Sequence, residues 1–209
     1  MIWTANGIRK LFRFGGQATF KPGAVVPCVF NTASSLTGAF GMGEWANGNN
    51  GGTLTTAAIS KDNIYAMPFI APARGGLLQV VSAFFGGAGN ARLGIYENVD
   101  NENDPYPSAL LYGSPAIAVS AVYLGIFCNV QLQPRKRYWA AFNCDTNQAG
   151  MLVYPVGGAS HYLGMDAAAT TTLATCLKVA LAYAALPATF TAGGAFTADR
   201  PYLQLRYAQ

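Results

Sequence analysis

Charge is what this 209-residue chain has least of. Asp, Glu, Lys and Arg make up 11% of it, against about 25% in ordinary soluble domains. A disordered chain needs high charge and low hydrophobicity; 52% hydrophobic residues exclude that class. A monomer exposed to water on every side normally carries more charge, which keeps its apolar patches small. Part of this surface is therefore expected to be covered by a partner. Histidine is nearly missing, with His161 the single one. Cysteine is sparse and widely spaced: Cys28, Cys128, Cys144 and Cys176 form no C-x-x-C pair. A zinc site with closely spaced ligands is not expected, and buried free thiols are. The longest uncharged apolar run, Val179 to Ala188, contains Pro187 and is about half the length of a membrane span. The opening MIWTANGIRKLFRFGG lacks the apolar stretch of a secretory signal. The unpaired cysteines and the missing signal fit a protein assembled in a reducing cytoplasm.

Net charge is +4, and the basic residues do not form one stripe. Arg9, Lys10, Arg13 and Lys21 precede the first acid, Glu44, and a second cluster is Arg135-Lys136-Arg137. A nucleic-acid binder shows a denser basic stripe interleaved with aromatics. The reading here is solvated turn charges plus a basic arm, with no specific nucleic acid and no membrane as partner.

What the chain does have is 24 glycines, 11 prolines and 26 aromatics. Residues 1–60 hold Trp3, Phe12, Phe14, Phe20, Phe30, Phe40 and Trp45 among frequent glycines, with little periodic pattern. Ile8, Leu11 and Phe12 are spaced for a short helical turn that Gly15-Gly16 would end. Nothing there makes an independent core. The segment reads as an extended assembly arm, with Trp3, Arg9, Lys10, Phe12, Arg13 and Phe14 as its gripping residues. It must bury its aromatics on its own domain or on a neighbouring subunit. Asn47 to Gly52 is a turn or linker.

Residues 61–209 read as short strands separated by Gly/Pro turns. Strands are expected over 64–71 (an edge, or bent, at Pro68), 77–85, 92–97, 109–112, 116–120, 123–133, 137–144, 151–154 and 202–207. A further segment, 173–183, alternates enough for a strand, although its alanines and leucines also allow a helix. In the last strand Leu203, Leu205 and Tyr207 share one face. Many short strands without βα alternation or repeats predict an all-β, antiparallel, jelly-roll-like β-sandwich carrying an N-terminal arm.

Catalytic parts are few. His161 lies in a Gly-Ala-Ser loop and no G-x-S-x-G elbow exists. The glycine-rich stretch Gly38 to Gly43 lacks the G-K-[ST] ending of a phosphate loop. Asp100, Glu102 and Asp104 alternate with asparagines, a spacing at which oxygens can hold Ca²⁺. The loop lacks the EF-hand glycine and the distal glutamate, and Asp and Asn start turns for local reasons. It is read as a turn, with no metal and no cofactor assigned. Candidate binding residues are those of the two long loops, 98–107 and 155–172: Asp100, Glu102, Asp104, Tyr106, His161 and Tyr162. Tyrosines can stack on sugars but are equally at home in cores and interfaces.

One run of motifs has a family look. Arg92, Gly94, Ile95 and Tyr96 are followed by Asp104-Pro105 and then Ala109, Leu110 and Leu111. Next come Tyr138, Trp139 and Ala140, then Leu186, Pro187 and Phe190, and finally Pro201, Leu205 and Arg206. In this order they resemble a β-sandwich domain of phage tail-fibre and other virion-surface proteins, over about residues 64–209. The doubled proline of Asp104-Pro105-Tyr106-Pro107 departs from the Gly-x-Pro-Gly-like turn of that pattern. The resemblance implies a non-enzymatic module that forms homo-oligomers, often trimers. It would sit in a virion assembled in the host cytoplasm, contacting other tail or capsid proteins, and would display loops to a host surface glycan. Short tail fibre and capsid decoration protein fit equally. A free-standing carbohydrate-binding module is the alternative expectation.

Overall fold

The computed structural model describes residues 25–27, 45–46, 55–73, 75–99, 106–120, 122–153, 176–197 and 201–208. The strands are β1 (Val25–Pro27), β2 (Trp45–Ala46), β3 (Thr55–Ile59), β4 (Asn63–Ile70), β5 (Gly76–Phe85), β6 (Gly89–Asn98) and β7 (Pro107–Gly113), followed by β8 (Ile117–Val119), β9 (Val122–Leu132), β10 (Arg137–Cys144), β11 (Gln148–Val153), β12 (Cys176–Ala180), β13 (Ala195–Thr197) and β14 (Leu203–Tyr207). All pairings are antiparallel. A five-stranded sheet runs β1-β9-β5-β14-β2; a larger one runs β13-β12-β4-β10-β6-β7, with β8 also on β6; β11 and β3 pair separately. The chain passes between the two large sheets at β4–β5, β5–β6, β8–β9, β9–β10 and β13–β14. The antiparallel β-sandwich expected from the sequence is the fold.

The layers meet through alternate side chains. Tyr65, Met67 and Phe69 of β4, Tyr138, Ala140 and Phe142 of β10, and Leu93 and Ile95 of β6 face inward from the larger sheet. Leu78, Val81, Ala83 and Phe85 of β5, Leu124 and Ile126 of β9, and Leu203, Leu205 and Tyr207 of β14 meet them from the smaller one. The shared face read for Leu203, Leu205 and Tyr207 is therefore the core face. Phe142 stacks on Tyr65 at 5.2 Å between ring centroids and meets Phe85 edge-on at 6.3 Å. Such ring pairs add about 0.5–1.5 kcal/mol beyond the area they bury.

The larger sheet has a second buried face. Ile64 and Ala66 of β4, Trp139 and Ala141 of β10, Tyr96 of β6 and Leu177 and Val179 of β12 point away from the sandwich, yet they pack under Leu186 and Phe190. The irregular chain 181–194 between β12 and β13 thus lies over this face like a strap. This explains why β4 and β10 read as continuous apolar runs and are buried nearly throughout. Of the segment 173–183, the described residues Cys176–Ala180 form a strand, and the apolar residues after it serve the strap.

Two details qualify the sequence reading. Pro68 lies within β4 opposite Trp139 of β10, and the described pairing of β4 with β12 covers Asn63 to Ala66. The arm-to-sandwich transition falls close to β3. This strand, Thr55–Ile59, pairs with β11 and buries Ile59, so it is part of the sandwich although it precedes residue 61. Upstream, β1 adds to the outer edge of β9 and β2 to that of β14.

Candidate functional site

The expected site residues Asp100, Glu102, Asp104, His161 and Tyr162 lie outside the described residues, as do Trp3, Arg9, Lys10, Phe12, Arg13 and Phe14 of the arm. Tyr106 is described, and its groups are engaged within the fold. Its hydroxyl is 2.9 Å from the Thr191 carbonyl and 2.6 Å from that of Gly193, donating its proton to the strap, and its ring meets Phe190 edge-on at 5.9 Å. The Val99 N–H donates to the Tyr106 carbonyl at 2.8 Å, closing the base of the 98–107 loop. Asn98 accepts from the Trp139 indole N–H at 2.8 Å. The basic turn 134–136 sits at the same end of the sandwich, with Arg135 exposed in the left-handed region at φ 58.

Cys128 and Cys144 are free thiols, and they and Cys176 are buried, as expected; Cys28 lies outside the described residues. Burial pushes the Cys128 thiol up to about 12. Cys144 also rises to about 12, through burial and then the charges of Asp145 and Asp62. Neither is a nucleophile near neutral pH. Among the described residues no three His, Cys, Asp or Glu side chains converge as metal ligands would.

Part of the motif run converges on the strapped face, while Ile95, Tyr138, Ala140 and Leu205 face the inner core. Gly94 is where Leu186 comes closest: a side chain there would run into Leu186 and the Tyr112 carbonyl. Tyr96 donates its hydroxyl proton to the Pro187 carbonyl at 3.0 Å and meets Phe190 edge-on at 5.0 Å. Trp139 lies beside them, fully buried. Motifs some 40 to 90 residues apart in the chain therefore encode one packing unit.

Arg92 opens that motif but does not join the packing. It lies on the same face as Gly94, at the end of the sheet where the 60–62, 86–88 and 145–147 turns gather. Its register partner on β10 is Asn143, which is fully buried, with neither amide Nδ2 nor Oδ1 partnered. Arg92 donates through Nη1 to the Ser114 carbonyl at 3.2 Å, and its guanidinium lies over the Tyr183 ring at 5.6 Å from the centroid. Its Nε is buried without a partner. Tyr183 is anchored by its own N–H, which donates to Asp62 Oδ1 at 3.4 Å. Burial raises the Tyr183 phenol, the Arg92 charge opposes this, and the Asp145 charge adds to it. The hydroxyl feels the guanidinium but makes no well-formed hydrogen bond with it. It therefore stays protonated at neutral pH. The arrangement is a buried polar cluster at the end of the strapped face: a cation and an aromatic ring beside a fully buried amide.

Sequence reasoning missed this niche. The available signal was Asn143 itself, a polar residue at an outward position of the otherwise apolar strand RYWAAFNC. Tyr183 carried no signal, because only the strap brings it over β6.

Comparison with family models, with curated proteins and with solved structures found no match.

Proposed function

We propose that this chain is a non-enzymatic structural component of a bacteriophage particle. It acts as an oligomeric surface protein, a short tail fibre or receptor-binding protein or a capsid decoration protein, held by its N-terminal segment. The observation that carries the reading is how the first 60 residues are used. Their described pieces make no fold of their own; β1, β2 and β3 each add a strand to a sheet or pair built by later residues. An arm that works by strand addition and is rich in aromatics suits a protein that must grip something larger. The low charge of the whole chain supports the same view, because a covered surface needs little. The ordered run of motifs supports a virion-surface sandwich, and their packing role fits a module without catalysis. A free-standing carbohydrate-binding module is the second reading, and the chain's eleven tyrosines favour it.

Light scattering on the native chain tests the proposal, alongside a chain lacking residues 1–24, which retains β1, β2 and β3. A trimer or larger complex that loses mass on truncation is the expected result. A full-length monomer overturns the assembly reading. An oligomer indifferent to the truncation overturns the role given to Trp3 through Phe14.

A further inference from the structure

We infer that the outer face of the five-stranded sheet is a docking face for the chain's own residues 28–44. This holds whether or not the chain belongs to a virion. Strand order requires a crossing. β1 pairs with β9 at one edge of this sheet, and β2 pairs with β14 at the other. Each strand of the sheet is antiparallel to the next, so β1 and β2 run in the same direction. Two strands of one direction need a crossover of about a dozen residues or more, and residues 28–44 are the link. β1 ends at the level of Leu124 and Ala83, and β2 begins at the level of Arg206 and Val80. The sideways distance is four strand spacings, roughly 19 Å, well within the extended reach of that link. The inner face is filled by the larger sheet. The short route runs over the outer face.

That face carries the mark of a cover. In one row Phe127, Val80 and Arg206 stand side by side, and in the next Gly125, Ser82 and Gln204. Val80 and Gln204 are each 4% exposed and Ser82 0%. A serine between a glycine and a glutamine is not closed off by its sheet neighbours, so something lies over it. Val80 is buried, yet neither hydrophobic cluster of the described residues contains it. Ser82 Oγ and Gln204 Oε1 are closed off without a hydrogen-bond partner. The cover is therefore apolar: it shuts out water and offers no hydrogen bond in return. Residues 28–44 have the side chains for this, with Val29, Phe30, Leu36, Phe40 and Met42 and a single charge, Glu44, at the far end. The sandwich is then covered on both outer faces, by 181–194 on the larger sheet and by 28–44 on the smaller. The N-terminal segment divides accordingly. Phe30 and Phe40 serve the domain, and gripping a neighbour falls to residues 1–24.

Photo-crosslinking of the full chain tests this. Phe84 lies between Ala83 and Phe85, which face the core, so Phe84→p-benzoylphenylalanine places its reactive ketone on the outer face. Mixing heavy-isotope and light chains separates crosslinks within a chain from those between copies. Crosslinks within one chain to residues 28–44 are expected. Crosslinks to residues 1–24, to residues 154–175 or to a second copy overturn the inference, as do crosslinks confined to neighbouring strands. Thiol labelling gives a second readout. Ser82→Cys, in a chain that also carries Cys28→Ser, should react at least about a hundredfold more slowly in the native chain than in urea. Phe30→Ser together with Phe40→Ser should raise the native rate at least about tenfold. Native labelling as fast as in urea, or a rate unmoved by the paired substitutions, would mean that residues 28–44 do not cover this face.

Discussion

The two faces of the larger sheet are built from the same strands and are stabilised differently. On the inner face β4, β10 and β6 meet another sheet, so every inward residue finds an apolar partner held by a hydrogen-bonded ladder. On the outer face they meet a strap without regular structure of its own over most of its length. The strap is held by a few bonds: Leu110 N–H to the Ala188 carbonyl at 2.9 Å, Phe190 N–H to the Ser108 carbonyl at 2.9 Å, and the hydroxyls of Tyr96 and Tyr106. A sheet-on-sheet face tolerates only apolar groups at its centre. A strapped face can admit polar groups at its ends, and there Arg92, Asn143 and Tyr183 gather.

The sharpest break of that comparison is Phe142→Ala on the inner face. Phe142 is fully buried between Tyr65 and Phe85, and its truncation should cost about 3–5 kcal/mol. Urea unfolding should show one cooperative transition moved to lower denaturant. Leu186→Ala on the outer face should cost less, about 2–3 kcal/mol, because the strap can settle into the space. Hydrogen exchange distinguishes the two. The amides of Leu110 and Phe190 should exchange faster in Leu186→Ala while those of the β5–β9 ladder hold; loss of protection in both places would mean that the faces unfold as one unit.

Smaller changes sharpen the same contrast. Tyr106→Phe keeps the ring on Phe190 and removes the hydroxyl from the strap carbonyls, so about 1 kcal/mol should be lost. Weaker exchange protection should appear in the strap before any shift in the global midpoint. The smallest effect concerns Asp145, whose carboxyl is held below its usual 3.8 by the Asn90 N–H and side-chain amide. A depressed folded value stabilises above the ordinary value and is lost as pH falls through the folded one. Asn90→Ala should therefore cost under about 1 kcal/mol at pH 7, since the pair is exposed and screened. Comparing unfolding midpoints at pH 7 and at about pH 2–3, the gap between this variant and the native chain should narrow as Asp145 protonates. An unchanged gap would assign the loss to packing of the turn.

Much of this was legible in the linear chain, for physical reasons. The strand at 137–144 coincides with its expectation at both ends, because its apolar run is bounded by a basic proline turn and an Asp-Thr-Asn turn. The strands expected from 77, 92 and 123 appear with ends moved by up to a few residues, as ladder partners extend them. The short strand β13 was missed: its three residues, AFT, pair with β12 without a pattern of their own. The niche was missed for a related reason. Arg92, Asn143 and Tyr183 are separated by at least 40 residues from one another, and nothing local marks them as neighbours.

What the amino-acid sequence determined by itself is the class: low charge, short alternating strands and Gly/Pro turns specify an antiparallel sandwich, because side-chain period and turn chemistry are local properties. What tertiary structure alone decided is which strands would be buried twice. The continuous apolar runs of β4 and β10 demand a cover on their outer face but do not say what supplies it. The strap does so, since Gly94 leaves room for Leu186 and the Tyr96 hydroxyl can reach the Pro187 carbonyl. The same closure carries Tyr183 against Arg92, at the end of the sheet where Asn143 is buried.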